Sequence, residues 1–255
     1  MPLRTVVVDI EGTTSATAFV VDRLYPYSAE RFADWIDAHR EDPETARAVD
    51  QVRELIGEPA AGTDRVVAAL RAWLSADEKL TPLKTIQGRI WEDGFTRGDL
   101  VAHFYPDVAP ALRAWKAAGH ELYVFSSGSV TAQRSWFRHS IEGDLLPLLS
   151  GHFDTTNAGP KRSADSYRKI TALTGADPAR TVFLSDVVAE LDAARAAGWH
   201  AVGVWRPGEP HHDRGVGDHL RVASFAGLDL SADRPRAVPH GADTAAGRPA
   251  GPGRP

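Results

Sequence analysis

Four short runs of apolar and β-branched residues limit this chain more than any other feature. They are Thr5–Ile10 (TVVVDI), Glu121–Ser127 (ELYVFSS), Thr181–Asp186 (TVFLSD) and His200–Trp205 (HAVGVW). None alternates cleanly between apolar and polar residues, which is the pattern of strands covered on both faces. Helical patterns separate them. In DVAPALRAWKAAGH, Val108, Leu112 and Trp115 share one stripe that closes at Gly119, and VAELDAARAAG closes in the same way at Gly198. This alternation predicts an α/β fold with a doubly wound parallel sheet.

One interval breaks the alternation. Between about residues 20 and 99 there are helical stripes and no convincing strand. Leu24, Tyr27, Trp35 and Ile36 fit the first stripe, and Val52, Leu55 and Ile56 the second. Val66, Val67, Leu70, Trp73 and Leu74 fit the third, with Asp64 as its expected N-cap, and Leu83, Ile86, Ile90 and Trp91 the fourth. The expected organisation is an α/β core over 1–19 and 100–230, a helical insert over 20–99, and a disordered tail over 231–255. The tail is rich in Pro, Gly, Ala and Arg, with too little apolar surface to order itself. The insert follows the first strand, so it falls beside the C-terminal sheet edge, where α/β sheets bind ligands.

Charge and composition exclude several classes. A net charge of −5 argues against a broad nucleic-acid or anionic-membrane footprint. The absence of cysteine excludes disulfides, thiolate catalysis and Cys-ligated zinc. No apolar run reaches the length of a membrane span, and Met1–Arg4 leads straight into a strand without a separate signal-peptide core. A cytoplasmic protein is the expectation. There is no phosphate-cradling GxxxxGK[ST] loop, no GxGxxG fingerprint, no HExxH and no GxSxG elbow. His211, His212 and Asp213 stand together but read as a surface loop.

The strand ends carry the polar residues. Asp9 and Glu11 are two apart, so on a strand they would face one side. Two carboxylates this close repel unless a cation or proton lies between them, and a hard divalent cation such as Mg²⁺ suits oxygen ligands. The plain alternative is a strand exit with solvated acids. Ser126 and Ser127, in FSSGS, mark a strand-to-helix junction where hydroxyls and free amides can hold phosphate or merely cap the helix. Asp186 ends the third run and is a second hard-ligand candidate. Glu190, one helical turn on, is either a first-turn acid favoured by the helix dipole or a support for the metal. Lys161 lies in a loop before a helix, in GPKRSADSYRKI.

The order Asp-x-Glu-Gly-Thr, Ser-Ser, Lys, Ser-Asp along successive sheet positions resembles the haloacid dehalogenase superfamily of phosphohydrolases. DIEGTTS, LYPY, QGRIWEDGF, YPDV, GHFDT, SYRKI and FLSDVVAELDAARAAG narrow this to a resemblance to the enolase-phosphatase (acireductone synthase) family of methionine salvage, over Val6 to Leu228. Glu11 is informative, since most of the superfamily has Asp there. The tail matches nothing in that family, and Ala16-Thr17-Ala18 stands where a serine-rich stretch is expected.

The resemblance implies a Rossmann-like core with an inserted helical cap, and a monomer that acts on a small phosphorylated diketone without nucleic-acid, membrane or protein partners. It implies Asp9 as nucleophile, forming an aspartyl-phosphate, with Mg²⁺ held by Asp9, Glu11 and Asp186. Ser126, Ser127 and Lys161 would contact phosphate, and Glu11 would serve as acid and base. The implied reaction turns 2,3-diketo-5-methylthiopentyl-1-phosphate into 1,2-dihydroxy-3-keto-5-methylthiopentene and phosphate, by enolisation and then dephosphorylation. The enolisation base is either Glu11 or a cap residue. Trp35, Trp73 and Trp91 are expected in the cap core. Two rivals stand beside this reading: a phosphatase of the same fold acting on another sugar phosphate, and a non-catalytic phosphate-binding protein.

Overall fold

The computed structural model describes residues 2–238. Six parallel strands form the central sheet: β1 (Thr5–Val8), β2 (Glu121–Phe125), β3 (Gly151–Phe153), β4 (Thr181–Ser185), β5 (His200–Val204) and β6 (Leu220–Val222), in the order β3-β2-β1-β4-β5-β6. Both faces are covered, as the lack of alternation requires. Val6, Val8, Leu122, Val124, Val182 and Leu184 pack on one face, while Val7, Phe125 and Phe183 pack on the other. The register sets Val6 between Leu122 and Val182. Strand order reverses around β1, so its C-terminal end opens at the topological switch point.

Helices α1 (Tyr25–Ala38), α2 (Pro43–Leu55), α3 (Thr63–Ser75) and α4 (Thr81–Arg97) make the insert. A short helical turn and a π-type turn, Thr17–Phe19 and Val20–Leu24, lead into α1. The insert has its own core, in which Phe32, Ile36, Val52, Val66, Leu70, Leu83, Ile86 and Ile90 are buried. Leu24 and Phe95, at its two roots, belong instead to the core under the sheet. Asp42 caps α2 by accepting from the Thr45 amide and hydroxyl, each at 2.9 Å. Two helix expectations are corrected. Asp64 does not cap α3: Gly62 takes that place and Asp64 lies in the first turn, facing the helix dipole. Leu55 is 56% exposed, because α2 ends there and its apolar stripe has already passed to Val52.

Helices α5 (Val108–Ala117), α6 (Val130–Arg138), α7 (Ala164–Thr174) and α8 (Val188–Ala196) flank the sheet. Strands β3 and β6 escape a sequence reading because each spans three residues and lacks an apolar run. The expected tail is corrected at its start. Residues 231–238 are held by main-chain bonds: Leu3 N donates to Ala232 O at 3.0 Å, and β7 (Leu228–Asp229) pairs antiparallel with β8 (Arg236–Ala237). Backbone pairing orders this stretch without large side chains. The remainder of that expectation, 239–255, lies outside the described residues. No helix among them is long and apolar enough to cross a membrane.

Candidate active site

The strand β1 ends at Val8, and the residues after it do not continue in extended form. The amides of Thr13, Thr14 and Ser15 all donate to Ile10 O, at 3.2, 2.9 and 2.9 Å, and Gly12 N donates to Ser15 O at 2.8 Å. The Thr14 hydroxyl ties the turn to Asp9 O at 3.0 Å. Gly12 is required twice: its φ is +73°, and a Cβ there would lie 2.2 Å from Asp186 Oδ2. The turn therefore brings the end of β1 against Asp186, which follows β4.

Asp9 is buried. Its Oδ1 accepts from Ile10 N at 2.7 Å and pairs with Lys161 Nζ at 2.7 Å. Its Oδ2 makes no hydrogen bond among the described residues. Lys161 is equally buried and reaches Glu190 Oε2, also at 2.7 Å, while the Ser185 hydroxyl donates to that same oxygen at 2.9 Å. The loop carrying Lys161 is fixed from below, where Tyr167 OH donates to Lys161 O at 2.7 Å. Glu190 is thus not a solvated first-turn acid: it holds the lysine that pairs with Asp9.

Electrostatics mark the site as short of positive charge. Burial, partly offset by Lys161, raises Asp9 to about 7. Burial and then the charge of Asp9 raise Asp186 to about 8. Burial pushes Lys161 down, but Asp9 and Glu190 outweigh it and hold the ammonium above its ordinary range. Asp9, Asp186 and Glu190 face this one buried lysine, and Asp186 Oδ1 is buried without a hydrogen-bond partner. A hard divalent cation fits this donor set, since Mg²⁺ is commonly held by one or two carboxylates with phosphate and water completing its shell.

Of the expected Mg²⁺ ligands Asp9, Glu11 and Asp186, the turn at Gly12 brings the end of β1 against Asp186, while Glu11 lines the cavity beside the insert. Among the described residues no three His, Cys, Asp or Glu side chains converge as a metal cage. The same-side rule for Asp9 and Glu11 fails because the strand has already ended, and Glu11 instead lines the cavity beside the insert. Burial raises its proton affinity, while Lys79 and then Lys161 lower it. The pair His211 and His212 makes no cage either: His212 stacks on Trp205 at 3.8 Å.

Ser126 follows β2 and is buried, with its Oγ accepting from Gly128 N at 3.3 Å. Ser127 is exposed. Ser129, not either of these, caps α6 by accepting from Ala132 N at 3.2 Å, so Ser126 and Ser127 are not consumed as caps. Gln133, which sequence reasoning passed over, braces this loop: Nε2 donates to Gly128 O and to Phe153 O, each at 2.8 Å.

A cavity of about 390 Å³ lies between this edge and the insert. Glu11, Ser126 and Ser127 floor it, and Leu24, Trp91 and Trp136 give it apolar walls. Lys84 of α4 crosses it to donate to Ser127 O at 3.1 Å. Trp91, expected in the cap core, lines this cavity, with Nε1 donating to Leu24 O at 2.9 Å. Trp35 and Trp73 pack against the insert's own core. Sequence reasoning also missed the residues at the insert's roots. Glu209 accepts from Thr17 N at 3.2 Å and from Tyr105 OH, joining the two connections to the insert. Buried Arg206 pairs with Asp107 at 2.8 Å and donates to Thr13 O at 3.1 Å. No local pattern flags these groups, because their partners are 99 to 193 residues away in the chain.

Comparison with known proteins gives concordant findings. Residues 3–198 match the family model of the haloacid dehalogenase-like hydrolases. The chain is 62% identical to Enolase-phosphatase E1 of Streptomyces avermitilis over 226 residues, 89% of this chain and 95% of that protein. It is 53% identical to Enolase-phosphatase E1 of Frankia alni, over 88% and 94%. The crystal structure of Unknown transcript 4 protein from Saccharomyces cerevisiae superposes with a TM-score of 0.73 at 27% identity, covering 88% of this chain and 98% of that one.

Proposed function

Because the chain belongs to the haloacid dehalogenase-like hydrolases, and among them to the enolase-phosphatase family, we propose a division of labour among its residues. The enzyme is a Mg²⁺-dependent phosphoric monoester hydrolase of methionine salvage, an enolase-phosphatase. Its proposed substrate is 2,3-diketo-5-methylthiopentyl-1-phosphate, which it enolises and then dephosphorylates to the acireductone. The observation that carries the assignment is Asp9. One of its oxygens is fixed by Ile10 N and Lys161, and the other accepts no hydrogen bond among the described residues, just past the C-terminal end of β1.

Asp9 and Asp186 would hold Mg²⁺, which when bound neutralises phosphate oxygens. The free oxygen of Asp9 attacks phosphorus, and the bond to the C1 oxygen breaks, leaving an aspartyl-phosphate. Ser126, Ser127 and Lys161 hold the phosphate oxygens during transfer, which depends on positioning and charge more than on covalent help. Glu11 protonates the departing oxygen and then activates water against the acyl phosphate. The same Glu11, facing the cavity, takes the C1 proton in the preceding enolisation. The insert over 20–99 acts as a cap whose apolar walls receive the methylthio end and exclude water. The protein works as a cytoplasmic monomer on this small molecule.

The test is a two-signal assay on purified protein with the diketo phosphate and Mg²⁺. Inorganic phosphate and the ultraviolet absorbance of the enediol should appear together, and both should vanish with EDTA or in Asp9→Asn. Phosphate release without enediol from this substrate, or full activity in Asp9→Asn, would overturn the proposal.

A further inference from the structure

Enolisation drives an electron pair onto the C2 oxygen, so it needs a donor there. Lys161 spends two donors on Asp9 and Glu190, each at 2.7 Å, and its third is assigned to the phosphate oxygens above. The insert supplies another cation. Lys79, between α3 and α4, lines the cavity together with Glu11, Tyr25 and Trp91. Its ammonium is held from two sides, 2.6 Å from Asp77 Oδ1 and 2.7 Å from the Tyr25 hydroxyl. Tyr25 opens α1 and Asp77 follows α3, so two helices set its aim. Tyr25 stacks on Trp91 with ring planes 9° apart, which fixes it further.

Two details describe how the pair is held. Asp77 has φ 53°, and among the described residues no other non-glycine has positive φ. This is the left-handed residue that ends α3, where Glu78 N donates to Trp73 O at 2.9 Å, so the helix stop sets the position of the Asp77 carboxylate. The Lys79 and Asp77 side chains are 60% and 71% exposed, so their pairing adds little stability. An ammonium has three donors, and two are used.

We infer that Lys79 is the electrophilic donor of the enolisation step, its third N–H serving the C2 oxygen, with Asp77 and Tyr25 as its positioning residues. This rests on the enolase-phosphatase reading above. Glu11 takes a proton from C1, the C–H pair becomes the C1–C2 double bond, and the carbonyl pair moves to the C2 oxygen, which takes a proton from the Lys79 ammonium; solvent water then reprotonates Lys79. No electrons leave the substrate. Glu11 ends protonated, the form needed to protonate the departing oxygen in the next step.

The test uses Lys79→Met on three probes: the diketo phosphate, its C1-dideuterated form, and p-nitrophenyl phosphate, which has nothing to enolise. Turnover of the diketo phosphate should fall about 10²–10³-fold, the loss seen for one oxyanion donor, and p-nitrophenyl phosphate turnover by far less. The C1 deuterium isotope effect should rise, since C–H cleavage becomes slow. Lys79→Arg should recover part of the rate. Equal losses on the two kinds of substrate, or unchanged enol formation, would overturn the inference alone. If the unaltered enzyme makes no enediol from the diketo phosphate, the reading beneath it falls as well.

Discussion

Replacing Lys161 by methionine removes the ammonium on which two buried carboxylates depend. Both contacts are 2.7 Å, and all three side chains are more than nine-tenths buried. Asp9 keeps its bond from Ile10 N and Glu190 keeps the Ser185 hydroxyl, so neither loses every partner. Breaking a buried pair by removing one member typically costs about 3–5 kcal/mol. That is the expected loss at pH 7 without Mg²⁺, and for a chain of this size it lowers Tm by roughly 6–20 °C.

The loss carries a pH signature. Asp9, already raised to about 7 by burial, climbs further once the Lys161 charge that lowers it is gone. A carboxyl raised in the folded state has its contribution intact below the unfolded value and loses it as pH rises through the folded one. Below pH 7 Asp9 is neutral in both proteins. Above it only the unaltered protein ionises Asp9 readily, so the deficit should widen by up to about 1.4 kcal/mol per pH unit. Urea unfolding in EDTA from pH 6 to 8.5 would measure this. A deficit under about 1 kcal/mol, or one that narrows with pH, would refute the claim that Lys161 compensates these carboxylates.

Two further outcomes follow from the geometry. Gly12→Ala combines a φ of +73° with a 2.2 Å clash on Asp186, so it should raise the Mg²⁺ concentration for half-maximal turnover by about tenfold or more and lower stability by about 1–2 kcal/mol. A Mg²⁺ titration indistinguishable from the unaltered enzyme's would contradict this. His152 has both ring nitrogens buried without partners, and burial, then Arg134, lower it to about 4. The unfolded state then binds the extra proton first, so stability should fall between about pH 6.5 and 4, by about 1–2 kcal/mol after allowance for partial exposure. His152→Phe should flatten that slope in urea unfolding, and an unchanged slope would count against it.

The site was legible wherever its chemistry sits on a strand end. Asp9, Ser126 and Asp186 each follow a run of buried apolar residues, and Lys161 precedes a helix with a readable pattern. The i, i+2 argument for Glu11 failed because three amides converge on Ile10 O and end the strand's geometry early. Glu190 was ambiguous because a first-turn acid looks alike whether it faces solvent or a buried lysine.

The parallel sheet, the helical insert after β1 and the polar residues at the strand ends can all be read from the order of residues alone. Those follow from local pattern: which residues are apolar, at what period, and what stops them. Packing in three dimensions was needed to show that Glu190 grips Lys161, that Asp186 lies against Gly12, and that Tyr25 and Asp77 hold Lys79 at the cavity that Glu11 lines. Each of the first two contacts joins segments far apart in the chain, as Tyr25 and Lys79 are also joined across 54 residues. Packing of the whole fold sets such distances to within an ångström, and no local period encodes them.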